Sequence, residues 1–299
     1  FKTKIINNYG DIREYECISN LIKSVKPEIV FHLAAQPLVR QSYNDPLNTH
    51  SINIIGTANL LEACKRSQSV RTCINVTTDK CYENVNLDQG YSEDDKLGGR
   101  DPYSASKACS ELVTKSYFES YFIDLGIGLA TARAGNVIGG GDWSTDRLIP
   151  DVVRSLHAGT FPILRYPKAV RPWQHVLEPT AGYLLLAQHV FDEPLYYSGA
   201  WNFGPDVDSH KTVGYVTSRL CANWGKEVDW FEDEKDNPHE AEILKLDISK
   251  AKSKLLWHPN WSLDFSLDQV FEWYFAWSNQ EDCDAIAQAQ LKNFSENLM

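Results

Sequence analysis

Short apolar, β-branched runs alternate along this chain with stretches in which apolar positions recur every three or four residues. Lys4-Ile-Ile-Asn-Asn8 reads as a weak strand ending at Gly10-Asp11-Ile12, and Arg13 to Val25 as an amphipathic helix. Glu28 to Ala35 is a buried strand running into small residues, Pro46 opens a long helix from about Leu47 to Lys65, and Arg71 to Thr78 is the next strand. Pro102 suits the first position of a helix that continues through Ala105 to Phe122, after which Gly126 to Arg133 returns as a strand. Continuous apolar strands separated by helical patterns predict a parallel sheet covered on both faces, an α/β doubly wound architecture.

From Gly139 the pattern changes. Gly139-Gly-Gly-Asp-Trp143 is a loop, Pro150 to Ala158 a short helix, and Val176 to Phe191 a longer helix returning to the first sheet. Trp201-Asn-Phe-Gly-Pro205, a helix from Val213 to Trp224, an acidic stretch from Phe231 to Asp236 and a final helix from about Leu267 to Trp277 read as a smaller, C-terminal α/β lobe. A doubly wound sheet normally begins with a glycine-rich strand-to-helix turn. None is found here, and Gly139 to Gly141 follow a late strand without opening a helix at that spacing. The expectation is that roughly the first two strands of the fold are missing from these residues.

Composition narrows the partners. At 299 residues and 43% hydrophobic, the chain is long enough for one large or two moderate domains. A formal charge of −11 argues against nucleic acid and anionic membrane as partners, and points to a small molecule. The seven cysteines are scattered without metal-ligand spacing, so neither a disulfide framework nor a metal site is expected, and a reducing cytoplasm fits best. No apolar run reaches membrane-spanning length, and the opening residues do not have a signal-peptide layout.

Ligands of open α/β sheets lie beyond the carboxyl ends of the strands, and Asp11, Ala34, Thr78 and Ala134 all fall at such ends in this reading. Tyr103 and Lys107, four residues apart, share one helical face. A phenol with a pKa of about 10 is a poor base at neutral pH, but a neighbouring ammonium and a helix N-terminus both favour its anion, which can then take a proton from an alcohol.

With Thr78, Tyr103 and Lys107, the chain resembles the extended short-chain dehydrogenase/reductases, in which a hydroxyl residue ends a strand ahead of Tyr-x-x-x-Lys. The resemblance covers nearly the whole chain and implies a Rossmann-like fold that binds NAD. Residues 1–138 would form the NAD-binding domain, with 167–195 returning to it, and 139–166 with 196–299 the nucleotide-sugar lobe. Asp11 and Ile12 look like the pair that meets the adenine. His32-Leu33-Ala34-Ala35-Gln36 looks like the strand end beside the cofactor ribose and pyrophosphate, with Asn53, Thr77, Ala134, Tyr103 and Lys107 completing the cofactor set. His32 itself reads as a buried strand histidine rather than a base.

Within the family, sugar epimerases and reductases carry unreactive residues after the hydroxyl residue, whereas nucleotide-sugar 4,6-dehydratases carry Thr-Asp-Glu. Here the order is Thr78-Asp79-Lys80. Together with Leu97-Gly-Gly-Arg100, Gly135 to Trp143 and Arg171-Pro-Trp-Gln-His-Val176, this form is similar to the dehydratases that act on CDP-glucose. The resemblance implies catalytic roles for Thr78, Asp79, Lys80, Tyr103 and Lys107, and substrate contacts from Asn136, Arg147, Leu148, Arg171, Asn202 and His239. Which group removes the C5 proton stays open, because a lysine is a base only when neutral. A homodimer or dimer of dimers is expected from helix pairing in the family. A 4-epimerase or reductase, or a dinucleotide-binding sensor without chemistry, remain as alternatives; the first would not need Asp79, and the second would need none of the catalytic set.

Overall fold

The computed structural model describes residues 5–225, 230–235 and 241–298, and His239 lies outside them. The chain folds as two compact units. The first comprises residues 1–83, 96–132 and 186–200, the second 84–95, 133–185 and 201–299. These units interleave in sequence, but not at the functional boundaries expected above: 84–95 groups with the second unit, and the returning segment is 186–200 rather than 167–195.

A four-stranded sheet has the order β1-β2-β3-β4, and of its strands β1 (Ile29–His32), β2 (Thr72–Val76), most of β3 (Gly128–Ala134) and the start of β4 (Gly199–Phe203) fall in the first unit, with β1, β2 and β3 parallel. Register runs from Ile29 opposite Thr72 to His32 opposite Asn75, and from Thr72 opposite Gly128 to Val76 opposite Ala132. Both neighbours of β2 are strands, and Thr72 to Asn75 are buried with Val76 half-buried, so that the polar Asn75 needs partners inside the fold. β1 is more exposed, and residues 5–10, expected as a strand, are exposed coil. An isolated apolar run has no ladder to join, and extended backbone without a partner strand gains nothing from β-propensity.

Helices cover this sheet. Helix α1 (Tyr15–Val25) lies against α2 (Gly56–Lys65), and the expected long helix before Lys65 is Pro46–His50, a wider π-type turn at Ser51–Ile55, and then α2. Gly56 is required by a close approach, since a Cβ there would sit 2.6 Å from Ile12 Cγ2. Helix α3 (Pro102–Tyr117) starts where the sequence places it: the Asp101 carboxylate accepts from the Ser104 N–H at 2.9 Å, and Pro102 occupies the first position, where no N–H is needed. Gly99 lets the preceding Leu97-Gly-Gly-Arg100 stretch lie on this first turn, for a Cβ would come 2.4 Å from Ala105 N. The apolar core of the unit joins Ile22, Leu60, Leu61, Cys73, Phe122 and Leu129.

The second unit packs helices α4 (Leu148–His157), α6 (Val213–Asn223) and α7 (Leu263–Ser278) around Val152, Leu156, Trp173, Leu220, Leu267 and Tyr274. Helix α5 (Leu177–Asp192) runs between them in sequence. Short strand pairs border this core: Val137–Ile138 with Gln174–His175, and Val170–Pro172 with His210–Thr212. The helix ending at Ser278 is not the last. Gln280 at φ +59° breaks it, and α8 (Cys283–Glu296) begins where Asp282 accepts from the N–H groups of Asp284 and Ala285. Only Gln290 and Phe294 of α8 are buried, so its apolar pattern is too sparse to announce it.

Candidate active site

Thr78 follows the end of β2 and starts a tight turn, Asp79–Cys81. Its hydroxyl donates to Asp79 Oδ1 at 3.1 Å and accepts from the Lys80 backbone N–H at 3.3 Å, so three of the five residues expected to be catalytic are tied to one oxygen. Asp79 is buried and Lys80 half-buried. Tyr103 and Lys107 are both buried on α3, and the Tyr103 N–H donates to Ser42 Oγ at 3.1 Å. Lys107 is 6% exposed and its ammonium donates to the Val76 carbonyl at 3.0 Å, directly tying α3 to the end of β2. Burial pulls the Lys107 pKa down to about 8, with Glu111 and then Cys81 opposing the fall.

The inner face of α3 is polar over three turns. Ser106, Ser110, Glu111 and Thr114 are buried beside Tyr103 and Lys107, while Leu112 is 55% exposed. Asn75 of β2 donates to Ser110 Oγ at 3.0 Å and Thr114 Oγ1 at 2.8 Å. Thr57 of α2 lies 3.1 Å from the Ser110 hydroxyl and 3.0 Å from His32 Nε2. The two Glu111 oxygens accept from Thr77 Oγ1 at 2.5 Å and Thr131 Oγ1 at 2.8 Å. Glu111 is absent from the sequence-based set, although a polar residue four past Lys107, as Lys107 is four past Tyr103, continues one helical face and was the signal available.

The expected cofactor residues of this unit are rigidly supported. Asn53 accepts from the Gln36 N–H at 2.8 Å and donates to the Gln36 carbonyl at 3.1 Å and to Ser106 Oγ at 2.8 Å, clamping the turn after β1 to α3. Gln36 itself donates to Thr49 Oγ1 and to the Leu38 carbonyl. Leu33 is exposed at the mouth of that turn, and Ala35 is half-buried beside the exposed Ala34. Asp11 belongs to a loop and not to a strand end; it pairs with Arg13, which holds its carboxyl down at about 2. Asn59 of α2 donates to the carbonyls of Ile12 and Arg13 and so fastens this loop. His32 is buried on β1, and burial with the nearby Lys107 charge lowers its pKa to about 3, so it is neutral.

The expected substrate residues lie in the second unit, with Ala134 at the end of β3 close before them in sequence. The Asn136 carbonyl accepts from the Gln174 N–H at 3.1 Å. Arg147 precedes α4 with its guanidinium 3.5 Å from Asp142, and both Arg147 and Leu148 are half-buried. Arg171 is buried, with Nη1 donating to the carbonyls of Val170 at 2.9 Å and Glu242 at 3.4 Å. Asn202 is buried and its amide donates to the carbonyls of Tyr91 and Asp247, a framework role that stitches segment 84–95 to the rest of the second unit. Among the described residues no cluster of His, Cys, Asp or Glu has the makings of a metal site, and no helix is long and apolar enough to cross a membrane.

Proteins of known activity resemble the chain along most of its length. It is 45% identical to the CDP-glucose 4,6-dehydratase of Salmonella typhimurium over 96% of its own length and 82% of the relative's. It is 26% identical to the dTDP-glucose 4,6-dehydratase of Haemophilus influenzae over 88% of its length and 81% of that protein. Its fold matches the dTDP-glucose 4,6-dehydratase of Streptomyces venezuelae, solved with NAD bound, at a TM-score of 0.79 and 23% identity over 91% of this chain and 80% of that one. The UDP-glucose 4-epimerase of Thermotoga maritima matches at 0.77 and 23% identity over 89% and 82%. The fold is thus Rossmann-like, and because the model of the GDP-mannose 4,6 dehydratase family matches residues 1–270, the chain belongs to that family.

Proposed function

We propose that this chain is an NAD-dependent hydro-lyase that turns CDP-glucose into CDP-4-keto-6-deoxyglucose. The observation that carries this reading is the 45% identity, over 96% of the chain, to a CDP-glucose 4,6-dehydratase. The geometry supports it: a hydroxyl, a carboxylate and a lysine on one turn, with a buried tyrosine and lysine on α3.

The residues of the first unit fit a dinucleotide. The turn after β1 is held by Asn53 with Leu33 exposed, and Asp11 offers a carboxylate on a loop pinned to α2. Asp11, Ile12, Leu33 to Gln36, Asn53, Thr77 and Ala134 would line the cofactor, with Tyr103 and Lys107 nearest the reacting end. NAD, when bound, accepts a hydride from C4 of the sugar and later returns it to C6. Tyr103, as the phenolate favoured by the Lys107 ammonium, takes the proton of the 4-hydroxyl, and Thr78 hydrogen-bonds the same oxygen. The C4 ketone acidifies the C5 hydrogen. Lys80 as a neutral amine, or else another group or water, removes that proton and Asp79 protonates the departing 6-hydroxyl, so water leaves across C5 and C6. Arg147, Leu148, Asn136 and Arg171 bind the nucleotide half. The carbonyls of Val170 and Glu242 hold Nη1 of Arg171, and a guanidinium carries five N–H donors in all.

The enzyme works in the cytoplasm as a homodimer or a dimer of dimers, on the way to deoxysugars of surface polysaccharide such as the O-antigen of lipopolysaccharide. Exposed Leu47 and Ile55 before α2 and Leu112 on α3 support the dimer. Incubating the protein with NAD and CDP-glucose tests the function: a 4-keto sugar, seen by its absorbance in alkali, is expected. Epimerised CDP-hexose would make the chain a 4-epimerase, and binding without turnover a sensor.

A further inference from the structure

Helix α3 presents a third charged residue to the interior. Glu111 is 4% exposed, one helical step of four beyond Lys107, and its carboxylate is held from two strands: by Thr77 just past β2 and by Thr131 of β3. Two hydroxyls donating to two oxygens are satisfied by a carboxylate, whereas a protonated acid would have to spend one oxygen as a donor. A buried carboxylate is costly unless paired and hydrogen-bonded, so a reason for it is required beyond fastening a helix, which a glutamine would do.

Lys107 supplies that reason. The charges that act on its ammonium include Glu111 from α3 itself and Cys81 from the turn after β2, and the ammonium in turn acts on His32 of β1. Burial drives the ammonium towards its neutral form, His32 adds no negative charge, and Glu111 opposes the loss of the proton more strongly than Cys81. The Val76 carbonyl fixes where the ammonium sits. Glu111 therefore meets both needs of the oxidation step: it ties α3 to the ends of β2 and β3, and it supplies charge beside the lysine.

We propose that Glu111 is a positioning residue for alcohol oxidation, its carboxylate anchored by Thr77 and Thr131 and keeping Lys107 charged and at the height from which it serves Tyr103. The proposal rests on the dehydratase reading. Glu111→Gln keeps the shape and one acceptor oxygen, removes the charge, and turns the second oxygen into an amide donor, so that the hydroxyl of Thr77 or Thr131 must turn to accept from it. Lys107 should then lose its proton at lower pH by about one unit, and Tyr103 should need a higher pH to ionise. The pH profile of CDP-glucose turnover should narrow from both sides, and turnover near neutrality should fall by about tenfold. A profile of wild-type shape and position, with or without lost stability, would reduce Glu111 to a structural bolt and overturn the proposal. A second variant separates charge from packing: Glu111→Asp, which keeps the carboxylate, should keep a pH profile closer to wild type than Glu111→Gln does, and an identical profile for the two variants overturns the proposal equally. If the wild type does not turn over CDP-glucose, the functional reading fails by itself. The NMR titration of Lys107, compared between wild type and Glu111→Gln in the absence of substrate and cofactor, still decides the role of the carboxylate: a fall of about one unit supports it and no change refutes it.

Discussion

Replacing Lys107 by methionine should abolish oxidation and yet make the protein more stable at neutral pH. The ammonium is buried and its pKa drops from 10.5 to about 8. At pH 7 the lysine is charged in both folded and unfolded chains, so the drop is a penalty on folding of roughly 3 kcal/mol, a figure that already contains the attraction to Glu111. Methionine fills a similar volume without that penalty, but forfeits the hydrogen bond to the Val76 carbonyl, worth about 1 kcal/mol. The net gain should be about 2 kcal/mol. Its pH dependence follows from the sign of the shift. A base whose folded pKa is depressed binds its proton less in the folded state, so the penalty is full below about pH 8 and fades as pH rises towards 10.5. The advantage of the variant should therefore be largest at pH 7 and gone by about pH 10. Equilibrium denaturation at both pH values, read by tryptophan fluorescence with an unchanged slope, measures it. A variant less stable than wild type at pH 7, or a difference that ignores pH, would show that the site accommodates the charge and refute the burial argument.

Tyr103→Phe should leave the fold and nucleotide binding near normal while oxidation of C4 falls by several orders of magnitude; near-normal turnover removes its role as base. Asp79→Asn should still oxidise C4 but stall before water is lost, so that reduced cofactor and a 4-keto-glucose form accumulate in a single turnover, whereas Lys80→Met should slow exchange of the C5 hydrogen with deuterated solvent. Exchange at the wild-type rate would leave Lys80 an electrostatic or binding residue. Asn53→Ala removes the clamp between Gln36 and Ser106 and should cost about 1–3 kcal/mol in denaturation, a loss that no effect on Tyr103 chemistry would produce. Sedimentation at micromolar concentration should give a dimer mass; a monomer would remove the helix-pairing argument from Leu47, Ile55 and Leu112.

Local signals in the chain were enough for much of this. Runs rich in apolar and β-branched residues at 28–35, 71–78 and 126–133 marked β1, β2 and β3, most clearly for β2 and β3, which are buried on both faces, whereas β1 is more exposed. Asp101-Pro102 marked the start of α3, since capping and proline chemistry act within one turn. The spacing of Tyr103 and Lys107 put them on one face for the same local reason, and Thr78-Asp79-Lys80 sat next to a strand end that could be read directly.

What lay beyond the sequence depends on neighbours far along the chain. A helix read by its apolar positions would turn Leu112 inward, whereas α3 buries Ser106, Lys107, Ser110 and Glu111 and leaves Leu112 exposed. That inversion is stable only because Thr57, Asn75, Thr77 and Thr131, on other elements, complete the hydrogen bonds of the buried face. Residues 5–10 have strand-like residues at Ile5 and Ile6 but stay coil, since a strand is defined by its partner and not by itself. Asp11 is a loop residue held by Arg13, and the amide of Asn202, expected near substrate, donates to the carbonyls of Tyr91 and Asp247 far away in the chain. Periodicity, caps and spacing are properties of a few consecutive residues and can be read in one dimension. Whether a lysine is buried, and how far its charge is pushed towards neutrality, is set by groups tens of residues away, and only the tertiary structure brings them to it.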